Sequence, residues 1–144
     1  MAFDPKVFLE TGRLLLAGAP VSEAAVRTAC GRAYYAVYGS IRTRLCRVKG
    51  VSATDLFGRA GRHGDVIKAL THGSADFKRV CAQYRRLHIT RVTSDYRYST
   101  QVTRQEAERA LDDAAWVASR LASIPDGHFN SLPLAPQQPQ WNAR

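Results

Sequence analysis

Between Val26 and Leu45, the apolar residues Val26, Cys30, Ala33, Tyr34, Val37, Ile41 and Leu45 recur at steps of three and four. That is the period of one helix face, sustained for about five turns. A helix this long with an apolar stripe must bury the stripe against other elements to be stable in water. The helix is predicted from near Ser22 to about Arg47. Gly31 and Gly39 fall inside it. Each weakens a helix by about 1 kcal/mol relative to alanine, so their presence predicts close approach by a neighbouring helix.

The rest of the chain supplies the partners. Asp4-Pro5 announces a first helix, with Asp as a cap and Pro at the first turn. Val7, Phe8, Leu14 and Leu15 give it an apolar stripe, and Gly18 to Pro20 end it. Residues 48–62 read as a loop with one short helical turn, punctuated by Gly50, Gly58 and Gly61. A short helix from His63 to Leu70 stops at Gly73. Ser74 or Asp76 then opens a long helix through Phe77, Val80, Cys81, Tyr84, Leu87 and His88 to about Val92, and 93–100 is turn-like. Thr103 with Glu106 forms a capping box before the Ala-rich stripe ending at Leu121. Nothing alternates as a strand would. The expected fold is all-α, an antiparallel four- to five-helix bundle over residues 1–124. Residues 125–144 hold Pro125, Pro133, Pro136 and Pro139 and read as a proline-rich, extended or disordered tail.

Charge narrows the partners. The 21 cations are 17 Arg and 4 Lys against 12 acids, a net charge of +9. Residues 42–104 carry 14 cations and 4 anions, while 1–41 and 105–144 are near neutral. A block this basic and this rich in arginine points to a polyanion, with bidentate phosphate contacts favoured. Hydrophobic content of 45% excludes a wholly disordered chain. No apolar run reaches the length of a membrane span, and Met1 to Lys6 does not read as a signal peptide, so the expectation is a cytoplasmic protein with no membrane partner. Cys30, Cys46 and Cys81 are widely spaced without a Cys-x-x-Cys pair, and His63, His72, His88 and His128 lack a metal-binding spacing. Neither a metal nor a cofactor is expected. His63 and His72 are expected as caps or surface contacts.

Chemistry is densest from Tyr84 to Tyr98. On a helix Tyr84, His88 and Arg91 share a face, flanked by Arg85 and Arg86, with Asp95, Tyr96, Arg97 and Tyr98 at its end. Arg, His, Asp and Tyr together suit phosphodiester binding and proton transfer. A solvated basic helix with aromatics packed inward is the plain alternative.

Three motifs in order resemble HEPN domains: Arg32-Ala33-Tyr34-Tyr35-Ala36-Val37-Tyr38, His63-Gly64 with a downstream Phe77, and Arg91-x-x-x-Asp95-Tyr96. With the capped last helix, the resemblance covers residues 5–123. It implies a helical bundle that dimerises, here with Tyr34 and Tyr35 as core and interface residues. It also implies RNA as partner and, in many members, metal-independent ribonuclease activity in toxin–antitoxin, antiviral defence or CRISPR settings. The family's active site is an Arg, four to six residues, then a His. This chain departs from it: Tyr96 stands where four intervening residues would put the His, and Tyr98 where six would. Tyrosine, with a pKa of about 10, is a weak base at neutral pH. The resemblance thus implies either catalysis by Arg91 with His88, Tyr96 and Asp95, with Arg85, Arg86 and Arg97 on the nucleic acid, or an inactive subunit that binds nucleic acid or protein within a larger complex. It also marks Tyr98 as a modification candidate, at the place where a paired nucleotidyltransferase antitoxin adenylylates related proteins.

Overall fold

The computed structural model describes residues 3–58 and 62–136; Gly61 of the expected loop and Pro139 of the expected tail lie outside them. Seven helices occur among the described residues: α1 Val7–Leu16, α2 Glu23–Lys49, α3 Ala53–Phe57, α4 His63–Thr71, α5 Ala75–Tyr96, α6 Arg104–Ser123 and α7 Asp126–Asn130. No strand is present among these residues, and the architecture is an all-α helical bundle.

α2 begins where expected, with the Ser22 hydroxyl accepting the Ala25 N–H at 3.1 Å. It runs to Lys49 and stops at Gly50, whose φ of +66° is a left-handed conformation that glycine adopts without steric cost. Its apolar stripe faces inward: Val26, Cys30, Ala33, Tyr34, Val37, Ile41 and Leu45 are all buried. α1, α3, α5, α6 and α7 all pack against it, so α2 is the axis of the bundle. Tyr84 and Leu87 of α5 and Leu111, Val117 and Leu121 of α6 complete the core around it. Burying each Val, Leu or Ile in that core stabilises the fold by about 1.5–3 kcal/mol.

The two α2 glycines differ. A Cβ on Gly39 would lie 2.7 Å from the Pro5 ring, so the chain entering α1 presses directly on α2 there. At Gly31 the nearest group is the Asp95 carboxylate at 3.8 Å, an ordinary contact, and close helix packing does not account for this glycine. The α1 entry also differs in detail from expectation. The Asp4 carboxylate accepts the Lys6 N–H at 3.0 Å, and the helix proper starts at Val7 rather than at Pro5.

Two further expectations are corrected. α5 does not give way to a turn at Thr93 but continues to Tyr96. Arg27 of α2 supplies the reason: its guanidinium donates to the carbonyls of Thr93 (3.2 Å), Ser94 (3.0 Å), Arg97 and Thr100, which satisfies the end of the helix. Residues 125–134 do not stand off as an extended arm. α7 and the residues after it put Phe129, Leu132 and Leu134 into the core, with the Phe129 ring edge-on to Phe77 at 5.0 Å. Asp126 anchors the segment to α2 through Arg44 (2.6 Å) and Arg47 (2.9 Å).

Phe129→Ala is therefore expected to destabilise the chain by about 3–5 kcal/mol in urea unfolding, the cost of emptying a buried aromatic site. A loss below about 1 kcal/mol would show that the bundle does not need this segment. Gly39→Ala is expected to destabilise by about 1–3 kcal/mol through collision with Pro5, whereas Gly31→Ala is neutral or stabilising.

Candidate functional site

Tyr34 and Tyr84 face each other from α2 and α5 with no exposed surface. Their hydroxyls are 3.2 Å apart. A buried hydroxyl without a partner costs about 1–3 kcal/mol, so the pair is a constraint on how α2 meets α5. Burial holds both phenols protonated, well above the ordinary tyrosine range. The Tyr34 hydroxyl has a second partner, Nδ1 of His63.

His63 is the first residue of α4. Arg62 sets the approach of that helix: its guanidinium bonds the Asp65 carboxylate (2.9 Å) and the carbonyls of Leu56 (3.2 Å) and Ala135. The His63 ring lies over Tyr38, with centroids 4.3 Å apart, and stacks toward His88 at 6.0 Å and 22°. His88 stands one turn after Tyr84 on α5 and also meets the Tyr34 ring. Both imidazoles are half-buried. Burial lowers the pKa of each, the Arg91 cation lowers both further, and His88 adds to the effect on His63. Both are thus neutral at physiological pH.

Arg91 closes the cluster. Its guanidinium carbon lies 5.9, 5.4 and 5.3 Å from the ring centroids of Tyr34, Tyr35 and Tyr96. One terminal nitrogen, Nη2, donates to the Tyr35 hydroxyl at 2.8 Å and to the Tyr96 hydroxyl at 3.4 Å. Nε sits 3.0 Å from Asp95 Oδ2, a charge contact in which the N–H is not aimed at the carboxylate. Nη1 makes no hydrogen bond to the described residues. The cluster therefore offers a cation with a free N–H edge beside two neutral imidazoles, a combination suited to an anion and to proton transfer.

The expected residues separate into those brought together and those sent elsewhere. Tyr84, His88, Arg91, Asp95 and Tyr96 gather as the helical spacing predicts. Tyr35 is half-buried and joins them through Arg91. Tyr34 is corrected in part: it is a core residue with no surface to offer an interface. His63 is corrected outright, since its ring is a hydrogen-bonded member of the cluster rather than a cap or surface group. Arg85 bonds Thr71 of α4 at 3.0 Å, and Arg86 reaches Asp113 of α6 at 3.5 Å, so neither shares a hydrogen bond with the cluster. Arg97 and Tyr98 lie exposed beyond α5. Tyr98 is 78% exposed, which leaves its hydroxyl open to modifying reagents.

Much of the basic block has internal duties. Arg44 donates to the carbonyls of Leu121 and Ile124 at the end of α6, and Arg104 to that of Leu16 at the end of α1 (2.8 Å). Lys49 holds the Asn130 and Leu132 carbonyls. Arg42 lies over the Phe57 ring. These cations complete helix ends and pin loops, where positive charge also opposes the helix dipole. Arg27, which sequence reasoning missed, does this for α5 and so fixes Asp95 and Tyr96. Only its i,i+4 partner Glu23 was legible nearby.

Family models, curated proteins and solved structures were compared with the chain, and none of them matches it.

The lowered histidine pKa values set a pH dependence. The unfolded chain takes up protons at an imidazole pKa of about 6.5, while the folded site resists them. The stability contributed by neutral His63 and His88 is complete above that pH and falls as the pH drops through and below it. The melting temperature is expected to fall on going from about pH 7.5 to about pH 5, and to fall less in a His63→Gln, His88→Gln double variant. Equal slopes for the two proteins would contradict this.

Proposed function

We propose that this chain is a HEPN-like RNA-binding protein whose Arg91 cluster cleaves RNA by transesterification without a metal, as a toxin or defence component. The observation that carries this reading is convergence. Tyr34 and Tyr35, His63, and Arg91 with Asp95 and Tyr96 come from the three motifs of the resemblance, far apart in sequence, and meet at one cluster. A shared site is what a common function of the motifs requires, and packing alone would not need them to meet.

The chemistry uses groups already in place. The neutral imidazole of His88 takes the proton of the RNA 2′-hydroxyl. The 2′-oxygen attacks phosphorus, the bond to the 5′-oxygen breaks, and that oxygen leaves with a proton from solvent. The products are a 2′,3′-cyclic phosphate and a 5′-hydroxyl. Arg91 offsets the negative charge that builds on the phosphate oxygens. Arg97, exposed just beyond the end of α5, is the candidate for an adjoining phosphate. Ile89 and Tyr96 are exposed on α5 beside the cluster, and a second copy of the chain docking there would cover them. A small nucleotidyltransferase acting on Tyr98 remains the partner that the resemblance implies.

One observation favours a second reading, an inactive subunit that binds nucleic acid in a larger complex. Tyr96 holds the place of the family's histidine, and its hydroxyl already engages Arg91.

Labelled RNA incubated with the protein in EDTA decides between them. Cleavage with cyclic phosphate ends is expected, and His88→Ala should slow it about 10²–10⁴-fold while leaving binding largely intact. Arg91→Ala should weaken both. Salt-sensitive binding with no cleavage supports the second reading. Neither binding nor cleavage overturns both.

A further inference from the structure

The hydrogens of the Tyr84–Tyr34–His63 chain can be placed by counting. Tyr84 is buried, and its hydroxyl has one partner among the described residues, Tyr34. Tyr34 has two, Tyr84 and His63 Nδ1. If Nδ1 carried the proton and donated it to Tyr34, Tyr34 would donate to Tyr84, and the Tyr84 hydrogen would point into the core with no acceptor. In the opposite direction every hydrogen is used. Tyr84 donates to Tyr34, and Tyr34 donates to a bare Nδ1. A buried donor left without an acceptor is the expensive outcome, so the second arrangement is the stable one. It requires a neutral His63 with its proton on Nε2.

The surroundings favour the neutral ring. The groups facing His63 are Tyr34, Tyr35 and Tyr38 from α2 and His88 and Arg91 from α5; among the described residues no carboxylate hydrogen-bonds or ion-pairs with it. His63 Nε2 has no hydrogen-bond partner among the described residues, and the half-buried ring keeps part of its surface open.

We propose that the buried Tyr84–Tyr34 pair fixes His63 as the Nε2-protonated tautomer, so that His63 and Arg91 together donate to one phosphate oxygen while His88 alone is left as the base. This rests on the RNA reading for its ligand, but not for its geometry. It divides two histidines that look equivalent by exposure: His63 holds the anion, and His88 moves the proton. Tyr34 acts through His63 and is a positioning residue.

The test is long-range proton–nitrogen NMR on histidine-labelled full-length protein near pH 8, combined with binding of an uncleavable 2′-O-methyl oligoribonucleotide. In the wild type, His63 should show a protonated Nε2 and a bare Nδ1. Tyr34→Phe should move His63 toward the other tautomer and weaken oligonucleotide binding. His63→Ala should weaken binding about tenfold, the value of a hydrogen bond to a charged group. His63→Gln, whose amide reaches the Nε2 position, should recover most of the loss. A protonated Nδ1 in the wild type overturns the proposal, and needs no variant to fold. The expected tautomer with oligonucleotide binding unchanged in His63→Ala overturns the phosphate role alone. The expected tautomer with no oligonucleotide binding in the wild type overturns the RNA reading instead.

Discussion

A phenol sealed from water must find its hydrogen-bond partners inside the protein, and Tyr34 is sealed. It sits at the middle of the central helix, meets Tyr84 of α5 on one side, and reaches the imidazole that opens α4 on the other. Three helices are thereby registered against one oxygen atom. The stacked rings of Tyr38, His63 and His88 and the guanidinium of Arg91 follow from that registration, because each is attached within about two turns of one of the three anchored residues. Moving α4 by even one residue along its axis would break the Tyr34–His63 contact and remove an imidazole from the cluster.

The same economy governs the arginines. A basic chain is easily read as a polyanion-binding surface, and the count of 14 cations in residues 42–104 invites that reading. Arg44, Arg47, Lys49, Arg62 and Arg104 are nonetheless spent on helix ends, loop carbonyls and neighbouring acids. The bundle has many short connections, each leaving carbonyls that need donors, and a long planar cation satisfies several at once. Among the described residues, what remains for an anion is more local than the count suggests: Arg91 at the cluster, Arg97 beyond it, Lys68 of α4 and the exposed cations of α5.

Legibility from sequence followed the range of the interactions. The boundaries of α2 and α6 were readable because their caps are local: Ser22 binds the amide three residues on, and Thr103 with Glu106 closes a capping box. The shared face of Tyr84, His88 and Arg91 was readable because one helix holds all three. The end of α5 was not, since the donor that stabilises it, Arg27, is 66 to 73 residues away. The burial of residues after Pro125 was not either. Phe129, Leu132 and Leu134 are spaced too irregularly among prolines to show a period, and only the packed helices, with Phe77 edge-on to Phe129, give them a place.

By itself, then, the sequence determined a helical bundle, its long axis and one chemically loaded helix face, because helix periodicity and capping are short-range properties of the chain. Tertiary structure alone decided that His63 belongs to that face, that Tyr34 lies beneath it rather than at an interface, and that much of the basic block serves the fold. Those outcomes depend on which buried hydroxyls and carbonyls face one another once the helices pack, and no local pattern encodes that.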